Sequence, residues 1–353
     1  GRGRARPGLV RGPAVFAGAP PTAVLWLGFD ALDWAEEGAL ADLNDVAAAE
    51  GWDAVVPAAL QAFAKHDGKW ISAPVNVHST NWVWANKAVL DELGIAQPTT
   101  WAEFEAAMAT VKAAGKTPLA HGGQAWQEAT MFDGVALSVG GVEFYKKAFI
   151  DLDPEALGSD MMVETFNRMA TLRANVDDNF SGRDWNLASA MVINGDAAFQ
   201  IMGDWAKGEF LAAGKAPGAE FLCASTPGEG FLYNVDSFAM FSVDGDDKQA
   251  GQALLAELIV GKNFQKVFNL NKGSIPARTD VSLDEFDSCA TLSSDEMAAS
   301  NEGGSLLPSY AHGMALRGAQ SGAITDVVTQ HFNSDMSSED AVAALWASVA
   351  NSL

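Results

Sequence analysis

Tryptophan is the residue type with the most chemistry to offer in this chain, which has 11 Trp against 3 Tyr. Trp82 and Trp84 alternate in Asn81-Trp82-Val83-Trp84. Trp126 sits in Gly122-Gly123-Gln124-Ala125-Trp126-Gln127-Glu128, Trp185 in Gly182-Arg183-Asp184-Trp185-Asn186, and Trp205 in Met202-Gly203-Asp204-Trp205. Several of these lie beside Gly, Gln, Asn and Asp, where turns form. A core Trp ordinarily sits among aliphatics and needs one partner for its indole N–H. A Trp in a polar turn at the end of a strand can face a cleft, because ligands of α/β proteins bind at the carboxyl ends of strands. A flat indole flanked by amides and carboxylates suits a sugar: the ring covers the C–H face and the polar groups take the hydroxyls. Taken singly, each Trp is better read as core packing, since tryptophans are heavily buried on average. Taken as a group, at least two are expected to face a ligand. Trp101 opens an amphipathic helix and is read as packing.

Other chemistries find less support. Gly115-Lys116-Thr117 resembles the end of a phosphate loop, but the pattern needs Gly at position 110, which is Thr110, and a preceding strand where a helix is expected. The five histidines, His66, His78, His121, His312 and His331, have neither HExxH nor HxH spacing, so no metal site is expected. No G-x-S-x-G elbow is present, and the carboxylates are too numerous to nominate a glycosidase pair. Cys223 and Cys289 lack CxxC spacing; two buried thiols and one disulfide are equally compatible with that spacing.

These residues need elements to hold them. Thr100 and Glu103 form a T-x-x-E capping box, Trp101, Phe104, Met108 and Val111 recur at helical spacing, and Gly115 fits the position after the helix. Helices are also expected near 86–93 ending at Gly94, near 186–193, over 205–213, over 248–260 and over 341–349. The apolar runs 197–202 and 237–242 read as buried strands. Alternating helices and strands indicate an α/β protein. With 353 residues, about two domains are expected at roughly 150 residues each. Hydrophobic residues make up 48% of the chain and charged residues 19%, enough apolar material for packed cores.

The formal charge of −23, from 45 acidic and 22 basic side chains, argues against nucleic acid or anionic lipid as partners. The single arginine cluster, Arg2, Arg4, Arg6 and Arg11, reads as a flexible Gly/Pro-rich tail. The chain start lacks an apolar signal-peptide core and an initiator Met, and reads as mature, trimmed or incomplete.

The residues together resemble the bacterial ABC-transporter sugar-binding proteins (extracellular solute-binding proteins, family 1) of the type that takes glucose and related monosaccharides. The resemblance runs through Gly18-Ala19-Pro20-Pro21, Trp34-Ala35-Glu36-Glu37-Gly38, Pro74-Val75-Asn76-Val77-His78 with Asn81-Trp82, Asn86-Lys87 and Pro98-Thr99-Thr100-Trp101. It continues in Gly123-Gln124-Ala125-Trp126-Gln127, Met202-Gly203-Asp204-Trp205 and Asn271-Lys272-Gly273-Ser274-Ile275-Pro276-Ala277-Arg278. It implies a type II-like periplasmic-binding-protein fold, with two α/β lobes joined by a hinge and the ligand in the interlobe cleft. Lobe 1 would comprise 1–78 plus about 240–300, and lobe 2 about 79–239 plus 301–353. The first crossing is expected near His78 to Trp82 and the return near Asn234 to Phe241. By position, Trp185 and Trp205 would stack on the sugar. Asp236, Lys272 and His312 would hydrogen-bond hydroxyls, His78 would lie at the crossing, and Gln124 and Trp126 would face the cleft.

The implied protein is a monomer that is no enzyme and uses no cofactor. It would capture a monosaccharide by lobe closure and hand it to the membrane subunits of an ABC permease in the periplasm. That oxidising compartment favours a Cys223–Cys289 disulfide. The chain departs from the family at its start, where a first strand and helix are replaced by the arginine tail. The expected consequence is a first lobe short of one β-α unit, with an open sheet edge and weaker sugar binding. Leu25 and Leu27 stand where polar sugar-facing residues are expected, with Trp26 as the substitute. The competing readings are a carbohydrate-active hydrolase built on Asp204, Asp236 or Glu128, a binding protein for an oligosaccharide or polyol, and a sensor input domain.

Overall fold

Residues 21–353 are described by a computed structural model. The arginine tail and residues 18–20 of the Pro-Pro motif lie outside the described residues. The chain divides into two compact units, and each is discontinuous in sequence. The smaller comprises residues up to Asn76, Val235–Val267 and Pro276–Val281; the larger comprises Val77–Asn234, Phe268–Ile275 and Ser282–Leu353. The chain thus passes between units after Asn76, Asn234, Val267, Ile275 and Val281.

The smaller unit is built on a three-stranded antiparallel sheet. Asp236–Met240 lies at its centre, with Ala23–Leu27 on one side and Ser72–Pro74 on the other. Leu27 stands opposite Asp236 and Ala23 opposite Met240. One face of the first strand packs Val24 and Trp26 onto Ala31, Ala35, Ile71, Ala239 and Phe241, the period-2 burial of a strand covered on one face. Trp26 is 8% exposed and edge-on to Trp34 and Phe241. It is therefore a core residue of this unit and does not fill the sugar-facing role expected of it; the alternation that turns Leu25 outward turns its neighbour inward.

The larger unit carries a four-stranded mixed sheet in the order Thr117–Leu119, Ala197–Ile201, Trp82–Asn86, Phe221–Ser225. A three-stranded sheet in the order Leu306–Pro308, Phe231–Asn234, His78–Ser79 lies in the same unit. The helices start and stop where local chemistry requires. The Trp101–Ala113 helix has the full Thr100/Glu103 capping box, which satisfies backbone N–H groups at both positions. Lys87–Leu93 is capped by the Asn86 side chain and ends at left-handed Gly94, and Trp185–Asn194 ends at left-handed Gly195. The strands Ala197–Ile201 and Asp236–Met240 and the helices Asp246–Val260 and Ser338–Ser352 also fall where the sequence pattern places them. A core of Phe, Leu, Met and Val joins the sheet to the Ala125–Phe149, Asp160–Arg173, Gly318–Phe332 and Ser338–Ser352 helices.

Residues 282–300, assigned to lobe 1 from the sequence, pack with the larger unit. The tie is covalent and ionic. Cys289 in the Ser288–Gly303 helix is disulfide-bonded to Cys223 in the Phe221–Ser225 strand. Asp287, which caps that helix through Ala290 N–H, also pairs with buried Lys207 at 3.1 Å. Among the described residues, no helix is long and apolar enough to cross a membrane.

Candidate functional site

Seven of the eight sequence-predicted site residues, His78, Gln124, Trp126, Trp185, Trp205, Lys272 and His312, belong to the larger unit; Asp236 belongs to the smaller. The first group is organised around Trp205. The Ala197–Ile201 strand is fully buried, and the chain leaves it through Gly203 into a single 3-10 turn, Asp204–Ala206. That turn leaves the Trp205 ring half-buried. The ring lies against Gly203: a Cβ there would stand 2.1 Å from the indole, so any side chain at 203 would displace it.

Three other rings surround Trp205. The His78 imidazole is edge-on at 5.3 Å and 89°, the His312 imidazole at 5.2 Å and 69°, and the Trp126 ring lies tilted at 6.4 Å and 43°. Such separations and angles are those of favourable aromatic pairs. Each neighbour is in turn held. Nδ1 of buried His78 is hydrogen-bonded to Asp204 Oδ1, while Asp204 Oδ2 accepts the Ser79 backbone N–H at 3.0 Å. His312 Nε2 lies 3.0 Å from Thr130 Oγ1. The Thr130 hydroxyl already donates to the Trp126 carbonyl at 2.8 Å, so His312 Nε2 must carry the proton and donate.

Gln124 fixes Trp126 more than it offers itself. Its Oε1 accepts the Trp126 indole N–H and the Gln127 amide, both at 2.9 Å, and its Nε2 donates to Asp184 Oδ1 at 2.7 Å. Asp184 immediately precedes Trp185, the first residue of the Trp185–Asn194 helix. Trp185, Trp126 and Trp205 all pack, half-buried, against one cluster that contains Trp82, Trp84, Met202 and Phe210. Trp82 and Trp84 are fully buried there and present no face to a ligand.

Lys272 closes the Lys262–Lys272 helix. Gly273 follows at φ +91°, where a Cβ would meet the Asp204 carbonyl oxygen at 2.9 Å. Only glycine allows that approach, and it places the backbone after Lys272 beside the turn that carries Trp205. Asp236 is nearly buried in the smaller unit and forms a reciprocal pair with Asn76: its Oδ2 accepts from Asn76 Nδ2, and its N–H donates to Asn76 Oδ1, both at 3.0 Å.

The three carboxylates considered for hydrolysis all have protein partners. Asp204 is committed to His78 and Ser79, Asp236 to Asn76, and Glu128 accepts from Asn333 Nδ2 at 2.8 Å. Burial raises Glu128 above the usual carboxylate range. Sequence reasoning missed a second buried cluster. Asp133, driven up to about 7 by burial, accepts hydroxyl hydrogen bonds from Tyr145 at 2.6 Å and from Ser309. His121 is buried beside Phe180 and Phe332 and is driven down to about 3 by desolvation, then by Arg183 and Arg173. No local motif marks these groups. Among the described residues no cluster of His, Cys, Asp and Glu could hold a metal ion. A cavity of about 390 Å³ lies elsewhere on this unit, lined by Asp91, Glu92, Lys116, Lys215 and Glu220, and it contains none of the predicted residues.

Residues 12–259 match the family of bacterial extracellular solute-binding proteins. The chain is 58% identical over 337 residues to a probable sugar-binding periplasmic protein of Rhizobium meliloti, covering 95% of this chain and 81% of that one. Among solved structures, it superimposes with TM-score 0.82 and 17% identity on the bacterial solute receptor AcbH, described as having an exclusive preference for β-D-galactopyranose, covering 96% of this chain and 85% of that one. It also superimposes with TM-score 0.81 and 19% identity on a chitin oligosaccharide binding protein, covering 98% and 86%. Both likenesses are of the two-lobe α/β fold.

Proposed function

The chain belongs to the family of bacterial extracellular solute-binding proteins, and from that premise we propose that it is the non-catalytic sugar receptor of an ABC importer. In this reading it acts in the periplasm as a monomer, takes a monosaccharide such as glucose, and delivers it to permease membrane subunits. The observation that carries the reading is the cluster around Trp205: one half-buried indole in contact with two imidazoles and the Trp126 ring. The indole offers an apolar plane to the C–H face of a pyranose. His312 and Lys272 bring hydrogen-bonding groups to its margin, buried His78 braces the indole through its bond to Asp204, and Trp185 adds a second plane. Asp236 enters through its chemistry alone, as a carboxylate that can accept two hydroxyl protons.

Selectivity follows from the cost of leaving such groups unsatisfied. A sugar epimer that misplaces one hydroxyl strands a polar partner, which costs about 1–3 kcal/mol. Non-catalytic binding is supported by the description of the similar Rhizobium meliloti protein as a sugar-binding periplasmic protein. Calorimetric titration with glucose, galactose, mannose, xylose and a chitin oligosaccharide tests the reading. Heat with one of the four monosaccharides and none with the oligosaccharide supports it. Heat with the oligosaccharide alone moves the assignment to oligosaccharides, and silence with all five at millimolar concentration overturns sugar binding. Release of chromophore from chromogenic glycosides would replace the receptor with an enzyme.

A further inference from the structure

Three side chains on one helix control the surroundings of Trp205. Trp126, Thr130 and Asp133 stand at i, i+4 and i+7 in the Ala125–Phe149 helix and so share one face. Trp126 places its ring against Trp205, and Thr130 accepts from His312. Asp133 touches neither ring. It holds the segment that leads into His312 instead: its carboxylate accepts the Ser309 hydroxyl and the backbone N–H groups of Tyr310 and Ala311. The Tyr145 hydroxyl, 2.6 Å from Asp133 Oδ1, also accepts the Tyr310 backbone N–H at 3.2 Å. Three consecutive residues, 309 to 311, therefore depend on one fully buried carboxylate, and His312 is the next residue.

We propose that Asp133 is a positioning residue for ligand binding: by anchoring Ser309–Ala311 it sets the distance and angle of the His312 imidazole relative to Trp205. This rests on the Trp205 face being the sugar site. The side chain never reaches the sugar, and its effect passes through the backbone of three residues. An apolar residue could fill the same volume, but it would leave the Ser309 hydroxyl and the Ala311 N–H without this acceptor, a cost the buried loop would meet by shifting. A shift of about 1 Å at a binding group is enough to matter, because the geometry of a polar contact must hold within roughly 0.5 Å.

The test compares Asp133→Asn, Ser309→Ala and Trp205→Ala with the unaltered protein. Asp133→Asn keeps shape but turns one acceptor into a donor facing N–H groups. Ser309→Ala removes a single donor and leaves the carboxylate in place, which keeps the proposal testable if Asp133→Asn fails to fold. Affinity is measured calorimetrically with whichever of glucose, galactose, mannose and xylose binds. Histidine side-chain NMR on selectively labelled protein is recorded alongside. Asp133→Asn is expected to weaken binding at least tenfold and Ser309→Ala two- to fivefold, with the His312 resonances moving and those of His121 unmoved. A merely structural role would lower the melting temperature and leave both affinity and the His312 signals alone in the folded protein; that result overturns the proposal. If Trp205→Ala binds as tightly as the unaltered protein, the site assignment itself fails. If Trp205→Ala loses binding while folded Asp133→Asn and Ser309→Ala keep it, only the role of Asp133 fails.

Discussion

Two sets of tryptophans in the larger unit share one packed cluster and differ in what they are placed to do. Trp82 and Trp84 lie on the Trp82–Asn86 strand, which has neighbours on both sides in its sheet and is buried along its whole length. Trp84 donates its indole N–H to the Met202 carbonyl at 3.0 Å and stacks on Phe210 at 5.4 Å. Trp126, Trp185 and Trp205 lie at the first turn of a helix or in a 3-10 turn, and each is only half-buried. The side-chain chemistry is the same in both sets. Strand interiors bury the indole completely, whereas element ends leave it half-buried. Positions 82 and 84 are two apart on the strand and so point to the same face: both indoles enter one cluster, while Val83 and Ala85 pack into the core on the other side.

The comparison can be broken by substitution. Trp84→Ala should have the largest effect: loss of a fully buried indole costs about 3–5 kcal/mol, and chemical denaturation should show it as a large fall in the unfolding midpoint. Removing the Cys223–Cys289 bond should follow closely. It links residues 66 apart, and the chain-entropy relation gives roughly 4 kcal/mol for a loop of that length. A Cys223→Ser/Cys289→Ser double variant should melt well below the parent and still bind sugar. If instead it keeps its melting temperature and loses binding, the interior and the face are not separable.

Protons offer a third division, between interior groups and stability. Asp133 has a folded value of about 7, above the ordinary 3.8. The folded state therefore holds its proton where the unfolded state has released it, and stability falls as pH rises from about 4 through 7. His121 is displaced the other way, from 6.5 to about 3. Its unfolded form gains a proton first, so stability falls as pH drops from about 6.5 towards 3. The two slopes oppose each other, and the net tilt is smaller than either. In denaturant titrations across this range Asp133→Asn should lose the decline towards pH 7 and retain the decline on the acid side. A slope unchanged in the variant would remove Asp133 from the balance. Trp205→Ala should show the smallest loss of stability, about 1 kcal/mol, with the clearest loss of function. Truncating an aromatic anchor weakens binding by about 2 kcal/mol, roughly 30-fold. A Trp205→Ala variant that unfolds like Trp84→Ala would erase the distinction between the two sets.

What was legible from sequence had local causes. The capping box at Thr100 and Glu103, the left-handed glycines at 94 and 115, and the apolar run into Gly203 are each written within a few residues, and the structure carries all of them. The resemblance set the crossings near His78 to Trp82 and near Asn234 to Phe241, and the units divide after Asn76 and Asn234. The rest depends on partners remote in the chain. His78 meets Asp204 across 126 positions and Asp133 meets Ser309 across 176; no spacing rule reaches that far. Trp26 was misplaced for a related reason: its burial is set by Trp34 and Phe241 packing beside it, and the flanking leucines do not reveal that.

The interleaving of the two units has a consequence in time. Among the described residues, the Ala23–Leu27 strand has one partner in its sheet, Asp236–Met240. More than 200 residues must be made between the two. At about 5–20 residues per second, the first strand waits on the order of 10–40 s before it can pair. The larger unit waits too: its last third, including the helix that carries Cys289, is synthesised after the return crossing. Through most of its synthesis the chain therefore carries strands with unmatched edges, and neither unit can be finished before the other has been started.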